Sequence, residues 1–206
     1  MNRVLKMPKP KISVISLFFS LLCFLVVPLT DAIEKLPDNS VYQLPSQWHD
    51  QNNNPLSLAD LAGKIQVVAF MYTYCEHSCP VILSTLKRID KQLTMEQKQH
   101  LNFLIISLDP DRDTPEILNA YMNKNNLEQT RWRLLHGNAD DVLELAALFG
   151  VRYKPMDVND DIAHSNMITV LDRQGAIDYQ MQGLNKDLSK TLAGINALTI
   201  KNTGSE

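Results

Sequence analysis

The sequence predicts an α/β domain whose central mixed sheet carries helices on both faces. Two continuous apolar runs, residues 65–72 and 101–108, have the composition of strands buried on both faces. Each run is followed by a segment with helical character, and such alternation builds a parallel sheet. A turn at 172–175 separates two further extended runs, so we expect an antiparallel hairpin to complete the sheet.

The sequence gives only weak signals for secondary structure before the first long strand. Residues 33–44 have little periodicity and predict a linker or arm, and the cluster at 50–55 predicts a turn between short extended pieces. Residues 57–64 predict one helical turn that ends at Gly63.

The later elements alternate regularly. Pro115 and Glu116 follow Asp113 as in a helix N-terminus, and Gly150 is placed to end another helix. The predicted elements are strand 65–72, a helix on Ile82, Leu86, Ile89 and Leu93, strand 101–108, helix 115–124, strand 132–135, a helix on Val142, Leu145, Ala146 and Phe149, strands 167–171 and 176–181, and helix 187–198. This order is typical of a thioredoxin-like fold.

Composition excludes several classes of function. The chain has 206 residues, of which 45% are hydrophobic, enough for one domain with a sizeable core. Its formal charge of −3 offers no basic stripe, so we expect no nucleic-acid partner. The nearest two of its 7 glycines are Gly175 and Gly183, so it has neither a G-x-G-x-x-G nor a P-loop motif.

Residues 1–32 predict either a cleaved signal peptide or an uncleaved membrane anchor. Arg3 and three lysines form a basic flank, and residues 12–29 contain no charge. This stretch is longer than a usual signal segment and almost long enough to span a bilayer, so both alternatives stay open. Either one sends residues 33–206 to the extracytoplasmic, periplasmic side, secreted or anchored to the inner membrane. The exported part has 16 Lys+Arg against 22 Asp+Glu, a formal charge of −6.

Cys75 and Cys79 are the strongest functional signal. They follow the first long strand, at the sheet edge where ligands bind in open α/β folds. Residues four apart on a helix have Cβ atoms about 5–6 Å apart, farther than the roughly 3.5–4.5 Å of a disulfide. A C-x-x-x-C pair at a helix start can therefore bind a metal ion more easily than it can form a disulfide bond. Redox-active cysteines, metal ligands and a structural disulfide bond remain the alternatives.

His164 is the best candidate for a third metal ligand. It precedes the strand 167–171, and in a thioredoxin-like chain the loop entering that strand faces the cysteine motif. That loop normally carries a cis-proline, and here a histidine takes its neighbourhood. His49, His77, His100 and His136 are weaker candidates. Two thiolates and one imidazole favour copper over magnesium or calcium, and zinc would accept the same ligands.

At this point the residues resemble the SCO/SenC family of copper-binding, thioredoxin-like cytochrome c oxidase assembly proteins. The resemblance covers roughly residues 42–198 and rests on five segments in order: 72–80, 107–115, 132–135, 149–151 and 164–165. It implies copper bound by Cys75, Cys79 and His164. Glu76 and His136 depart from the family pattern, where we expect Pro and Thr.

The resemblance implies a metallochaperone. Such a protein delivers copper to the dinuclear copper centre of cytochrome c oxidase, or maintains the cysteines of that centre. Its partner would be the oxidase subunit that carries the centre, or another periplasmic thiol or copper protein. The alternative is a thiol–disulfide oxidoreductase or redox-stress protein that uses Cys75 and Cys79 as nucleophile and resolver. Enzyme activity is expected only under this alternative.

Overall fold

The computed structural model describes residues 35–155, 162–183 and 186–203. In these ranges the helices are α1 (Cys79–Gln92), α2 (Met95–His100), α3 (Pro115–Lys124), α4 (Ala139–Leu148) and α5 (Ser189–Thr203). The strands are β1 (Gln47–Asp50), β2 (Pro55–Ser57), β3 (Ile65–Met71), β4 (Leu101–Ser107), β5 (Trp132–Gly137), β6 (Tyr153–Pro155), β7 (Ile162–His164), β8 (Met167–Leu171) and β9 (Ile177–Gln182).

Seven strands form one mixed sheet in the order β2-β1-β5-β4-β3-β8-β9. The inner strands β3, β4 and β5 are parallel, and the pairs at both edges are antiparallel. The predicted mixed sheet with helices and a terminal hairpin is therefore confirmed. β6 and β7 pair only with each other, as a separate two-stranded ribbon.

The core lies on both faces of the central strands. All seven residues of β3 are buried, as their apolar run predicts. Helix α1 adds Ile82, Leu86 and Ile89, and the rings of Phe103 and Trp132 stack with centroids 4.2 Å apart on β4 and β5. This packing holds the carboxyl end of β3 and the start of α1 in fixed relation.

The prediction that residues 33–44 form a linker or arm is wrong in part. A short 3₁₀ helix spans Val41–Gln43, and its residues Val41 and Tyr42 are buried in the core. Gly175, in the β8–β9 turn with φ +83°, lies against the Tyr42 ring so closely that a Cβ there would come within 2.6 Å of it. The Val41 N–H also donates to the Gly175 carbonyl at 3.0 Å. Local periodicity missed these residues because a distant turn buries them.

Three local elements were missed or incompletely predicted. Helix α2 begins at a capping box in which the Thr94 hydroxyl accepts from the Gln97 N–H and the Gln97 side chain accepts from the Thr94 N–H. The extended pieces around 50–55 pair as the β1–β2 hairpin, and the β6–β7 ribbon was not expected.

The predicted signal peptide or anchor, including residues 12–29, lies outside the described residues. Among the helices that are described, none is long and apolar enough to cross a bilayer.

Candidate metal and thiol site

The cysteine pair lies at the connection between the end of β3 and the start of α1. The chain turns after Met71, and α1 begins at Cys79 with Pro80 in its first turn. Cys75 precedes the helix, so the expectation that both cysteines share one helical face is wrong. The Cys79 backbone N–H instead donates to the Cys75 sulfur at 3.3 Å. Cys75 thus accepts one of the N–H groups that a helix start leaves without an internal partner.

The environment separates the acidities of the two thiols. Burial acts to raise the pKa of Cys75, but hydrogen bonds from the Cys79 side chain and N–H, from Ser78 and from the His77 N–H outweigh it and lower that pKa. Burial raises the pKa of Cys79, and its hydrogen bond to Cys75 and the Cys75 charge raise it further. Both cysteines are free thiols, 8% and 1% exposed. Cys75 is therefore the more acidic and more accessible sulfur.

His164 reaches this pair from the β6–β7 ribbon. It lies opposite Tyr153 in β7 rather than in a simple loop. Its Nε2 is 3.7 Å from the Cys79 sulfur and 3.4 Å from Ser78 Oγ. Its Nδ1 is 3.3 Å from the Ser165 carbonyl, which can only accept, so Nδ1 carries the hydrogen of that bond. The lone pair of a neutral imidazole then lies on Nε2, beside the sulfur.

The spacing of these atoms fits one shared metal ion. Metal–sulfur and metal–imidazole bonds of about 2.3 and 2.05 Å, at tetrahedral to trigonal angles, put S and N about 3.5–3.8 Å apart. The observed 3.7 Å between Cys79 Sγ and His164 Nε2 lies in that range. The part of the chain that the structure describes contains no complete preformed cluster of three acidic, histidine or cysteine ligands. A three-ligand metal site formed by Cys75, Cys79 and His164 would therefore require a small rearrangement of these side chains.

A buried carboxylate stabilises residues 72–78, the cysteine loop between β3 and α1. Asp113 accepts from the Thr73 N–H at 3.1 Å, from the Thr73 hydroxyl, and from Ser107 Oγ at 2.6 Å. Burial raises its pKa although these hydrogen bonds act to lower it. The sequence placed Asp113 at the helix N-terminus, but Thr114 is the N-cap and Asp113 is buried one residue before it. Sequence spacing carries no signal for this role, since Thr73 lies 40 residues away.

The weaker histidine candidates have other surroundings. The Nδ1 atom of His136 lies 3.0 Å from the Asp113 carbonyl, and His136 pairs across the sheet with His49. The His77 side chain is exposed, and His100 ends helix α2. Glu76 is also exposed beside the pair. His164 places an imidazole nitrogen 3.7 Å from a cysteine sulfur and is therefore the strongest of the histidine candidates.

Fold and site together define a thioredoxin-like domain with a cysteine pair and a facing histidine. Residues 35–199 match the family model described as SCO1/SenC. The chain belongs to the SCO1/SenC family.

Individual relatives agree with this assignment. A Stutzerimonas stutzeri protein named as a candidate copper-binding protein is 27% identical over 152 residues, which cover 69% of this chain and 73% of the relative. The copper-bound structure of Bradyrhizobium japonicum ScoI has a TM-score of 0.59 and 24% identity, with 74% of this chain and 96% of that chain covered. BsSco, described as a member of the Sco family of cytochrome c oxidase assembly proteins with a disulfide switch, has a TM-score of 0.67 and 20% identity, over 81% and 98% of the two chains. The two structures establish the thioredoxin-like fold.

Proposed function

We propose that this protein is an extracytoplasmic copper metallochaperone in which Cys75, Cys79 and His164 hold one copper ion as cargo. The observation that carries the proposal is the 3.7 Å separation of Cys79 Sγ and His164 Nε2, with Cys75 hydrogen-bonded to the same helix start. Two sulfurs and one imidazole form the soft-to-borderline ligand set that suits copper, and zinc is the rival metal.

The way in which the three proposed ligands are held supports delivery rather than storage. Cys75 and Cys79 belong to the packed β3–α1 junction, whereas His164 belongs to a ribbon outside the main sheet. Ligands on separate elements allow a recipient to replace them one at a time. The recipient we propose is the oxidase subunit with the dinuclear copper centre, because the relative BsSco belongs to a family of cytochrome c oxidase assembly proteins. The proposed location is periplasmic, secreted or anchored through residues 12–29.

Copper stoichiometry and affinity test the ligand set. Reduced protein should bind one copper per chain, while Cys79→Ser and His164→Ala should bind it far more weakly. His77→Ala is the matched control, because that side chain is exposed between the two cysteines. Copper bound equally tightly by His164→Ala would show that His164 is not a ligand. Stronger retention of zinc than of copper would show that zinc is the metal that this site holds.

A thiol–disulfide oxidoreductase is the second candidate function. The observation in its favour is the split acidity of the pair, a lowered pKa at Cys75 and a raised pKa at Cys79. Cys75 would attack a disulfide as thiolate, and Cys79 would then resolve the mixed disulfide. A histidine ligand is unnecessary for that reaction. Exchange rates that do not change in His164→Ala while copper binding is lost would separate the two functions.

A further inference from the structure

A groove of about 620 Å³ opens beside Cys75, between α1 and α3. Its volume falls in the range of roughly 300–1,000 Å³ that is usual for ligand sites. The residues that shape it are Tyr74, Cys75, Leu83, Lys87, Tyr121 and Lys124. None of its described lining residues belongs to the β6–β7 ribbon, so an occupant can reach Cys75 without displacing His164.

The groove has a positive end. Lys87 and Lys124 line it far from the cysteine loop, and Lys87 Nζ donates to the Asn125 carbonyl at 2.7 Å, which ties α1 to the end of α3. Glu76 is the one acidic side chain among the described lining residues, and it lies next to Cys75. The described lining thus carries two positive side chains and one negative side chain, whereas residues 33–206 as a whole have a formal charge of −6. An occupant with carboxylates would be oriented with those groups toward the lysines and away from Glu76.

Aromatic side chains line the end nearest the cysteine. Tyr74 is 70% exposed, and the Arg112 guanidinium lies 5.5 Å from its ring centroid. Tyr121 lines the same groove as Cys75, and burial raises the pKa of its hydroxyl to about 12. Exposed tyrosine together with arginine is the composition of protein-interaction surfaces.

We propose that this groove docks an acidic segment of the partner protein that exchanges copper at Cys75. The inference rests on the proposed function in that Cys75 must be the atom that meets the partner. The Cys75 sulfur lies 3.3 Å from the Cys79 nitrogen at the start of α1, and Lys87 lies eight residues farther along that helix, about 12 Å along its axis. An extended segment spans that distance in about three or four residues. The proposed segment would then carry its carboxylates about four residues from the thiol that meets Cys75.

The test uses capped peptides as probes and needs no copper. Cys-Ser-Gly-Ser-Asp-Asp and its counterpart ending in Lys-Lys are each activated as the mixed disulfide with 2-thiopyridine. The Cys75 thiolate attacks the peptide sulfur and forms a new disulfide, and pyridine-2-thione leaves with the electron pair of the broken bond and takes up a proton. At low ionic strength the acidic peptide should react about five to ten times faster than the basic one, and 0.5 M salt should largely remove the difference.

Charge-matched variants test whether the groove causes the preference for the acidic peptide. Lys87→Gln/Lys124→Gln should lose the preference, and Lys124→Gln alone should reduce it without disturbing the Lys87 bond. Lys91→Gln/Lys190→Gln makes the same charge change at exposed positions outside the groove and should keep it. Equal rates for the two peptides, or equal loss of preference in both double variants, would overturn the proposal.

A third probe separates a protein segment from a small thiol. Mercaptosuccinate, activated in the same way, carries two carboxylates without a peptide. If it shows the same lysine-dependent acceleration as the acidic peptide, the groove accepts small acidic thiols and the docking proposal is wrong. If the unmodified protein fails to bind copper but still reacts faster with the acidic peptide, the proposed function is contradicted, and the preference of the groove for acidic segments is established.

Discussion

The Tyr72 hydroxyl accepts a hydrogen bond from the Ile162 N–H at 3.0 Å, across 90 residues of sequence. Tyr72 follows β3 just before the cysteine loop, and Ile162 begins β7, the strand that carries His164. The rings of Tyr72 and His164 also meet edge to face, with centroids 6.1 Å apart. This bond therefore connects the element that holds the cysteines to the element that holds the histidine.

Tyr72→Phe should weaken copper binding while leaving all three proposed ligands in place. Loss of the hydroxyl frees the start of β7, so His164 is held less firmly, and groups that orient a ligand are typically worth about 10–100-fold in metal affinity. Copper affinity and the thiolate-to-copper absorption band of the Cu(II) form would report the change. Tyr42→Phe is the matched control, since the buried Tyr42 hydroxyl has no hydrogen-bond partner among the described residues. Equal effects of the two variants would contradict a specific role for Tyr72.

Alkylation of the reduced, metal-free protein should occur at Cys75 first. Its pKa is lowered by the hydrogen bonds it accepts, whereas burial raises the pKa of Cys79. The rate at Cys75 should rise with pH through a midpoint below that of a cysteine in an unstructured peptide, and it should fall as pH drops below that midpoint. Peptide mapping after iodoacetamide treatment at several pH values measures both features. Modification of Cys79 ahead of Cys75 would contradict the assignment.

Oxidation of the pair should abolish copper loading. A disulfide between Cys75 and Cys79 offers no thiolate, and His164 alone is too weak a site to retain copper. The measurement is copper retained after dialysis by protein that was oxidised beforehand, compared with protein that was reduced beforehand. Bound copper should also protect both thiols from alkylation. Equal retention by the two forms would mean that the cysteines are not the ligands.

Asp113→Ala should destabilise the domain by about 3 kcal/mol, because it leaves buried donors on Thr73 and Ser107 without their acceptor. Asp111→Ala, two residues away and exposed, should change the free energy of unfolding by about 0.5 kcal/mol or less. Urea unfolding of both variants makes the comparison. Similar stabilities would show that the carboxylate does not brace the loop.

The β1–β2 turn should contribute stability that is lost in acid. Asp50 accepts from the Asn52 and Asn54 N–H groups at 2.8 and 2.9 Å. Burial acts to raise its pKa, but the bonds from Asn54 and Asn52 outweigh burial and lower it. The stabilisation is thus present above the unfolded pKa of about 3.9 and disappears as pH falls through the lower folded value. Asp50→Ala should cost about 2 kcal/mol at pH 7 and little at pH 2, and Asp38→Ala, which is exposed, should cost little at either pH.

Hydrophobic periodicity in the sequence was sufficient to predict the long strands and helices of the fold. The apolar runs and helical spacings predicted β3, β4, α1 and the β8–β9 hairpin within a few residues. The same reasoning missed Val41 and Tyr42, because their burial depends on Gly175, more than 130 residues away. Pairing of short segments, as in the β6–β7 ribbon, also lacks a local signal.

The sequence proposes the residue types of the candidate site, but it carries less information about their geometry. Cys75, Cys79 and His164 stood out through their positions next to strands, and the structure brings the imidazole beside the Cys79 sulfur. The helix start at Cys79, the brace by Asp113 and the Tyr72 bond depend on contacts between distant segments. No spacing within either segment reveals them.

The separation of the β6–β7 ribbon from the seven-stranded sheet has a consequence for divergence within the family. The ribbon contributes one proposed ligand but no strand to the sheet, so substitutions at its exposed positions, Lys154 and Ala163, leave the pairing of β3, β4 and β5 unaltered. If His164 is a ligand, we expect metal preference and release rate to diverge through those positions, while Ile162, which is buried and bonded to Tyr72, stays under the constraints of folding. Exchanging residues 153–164 between members of the family is then a way to transfer metal selectivity without redesigning the domain.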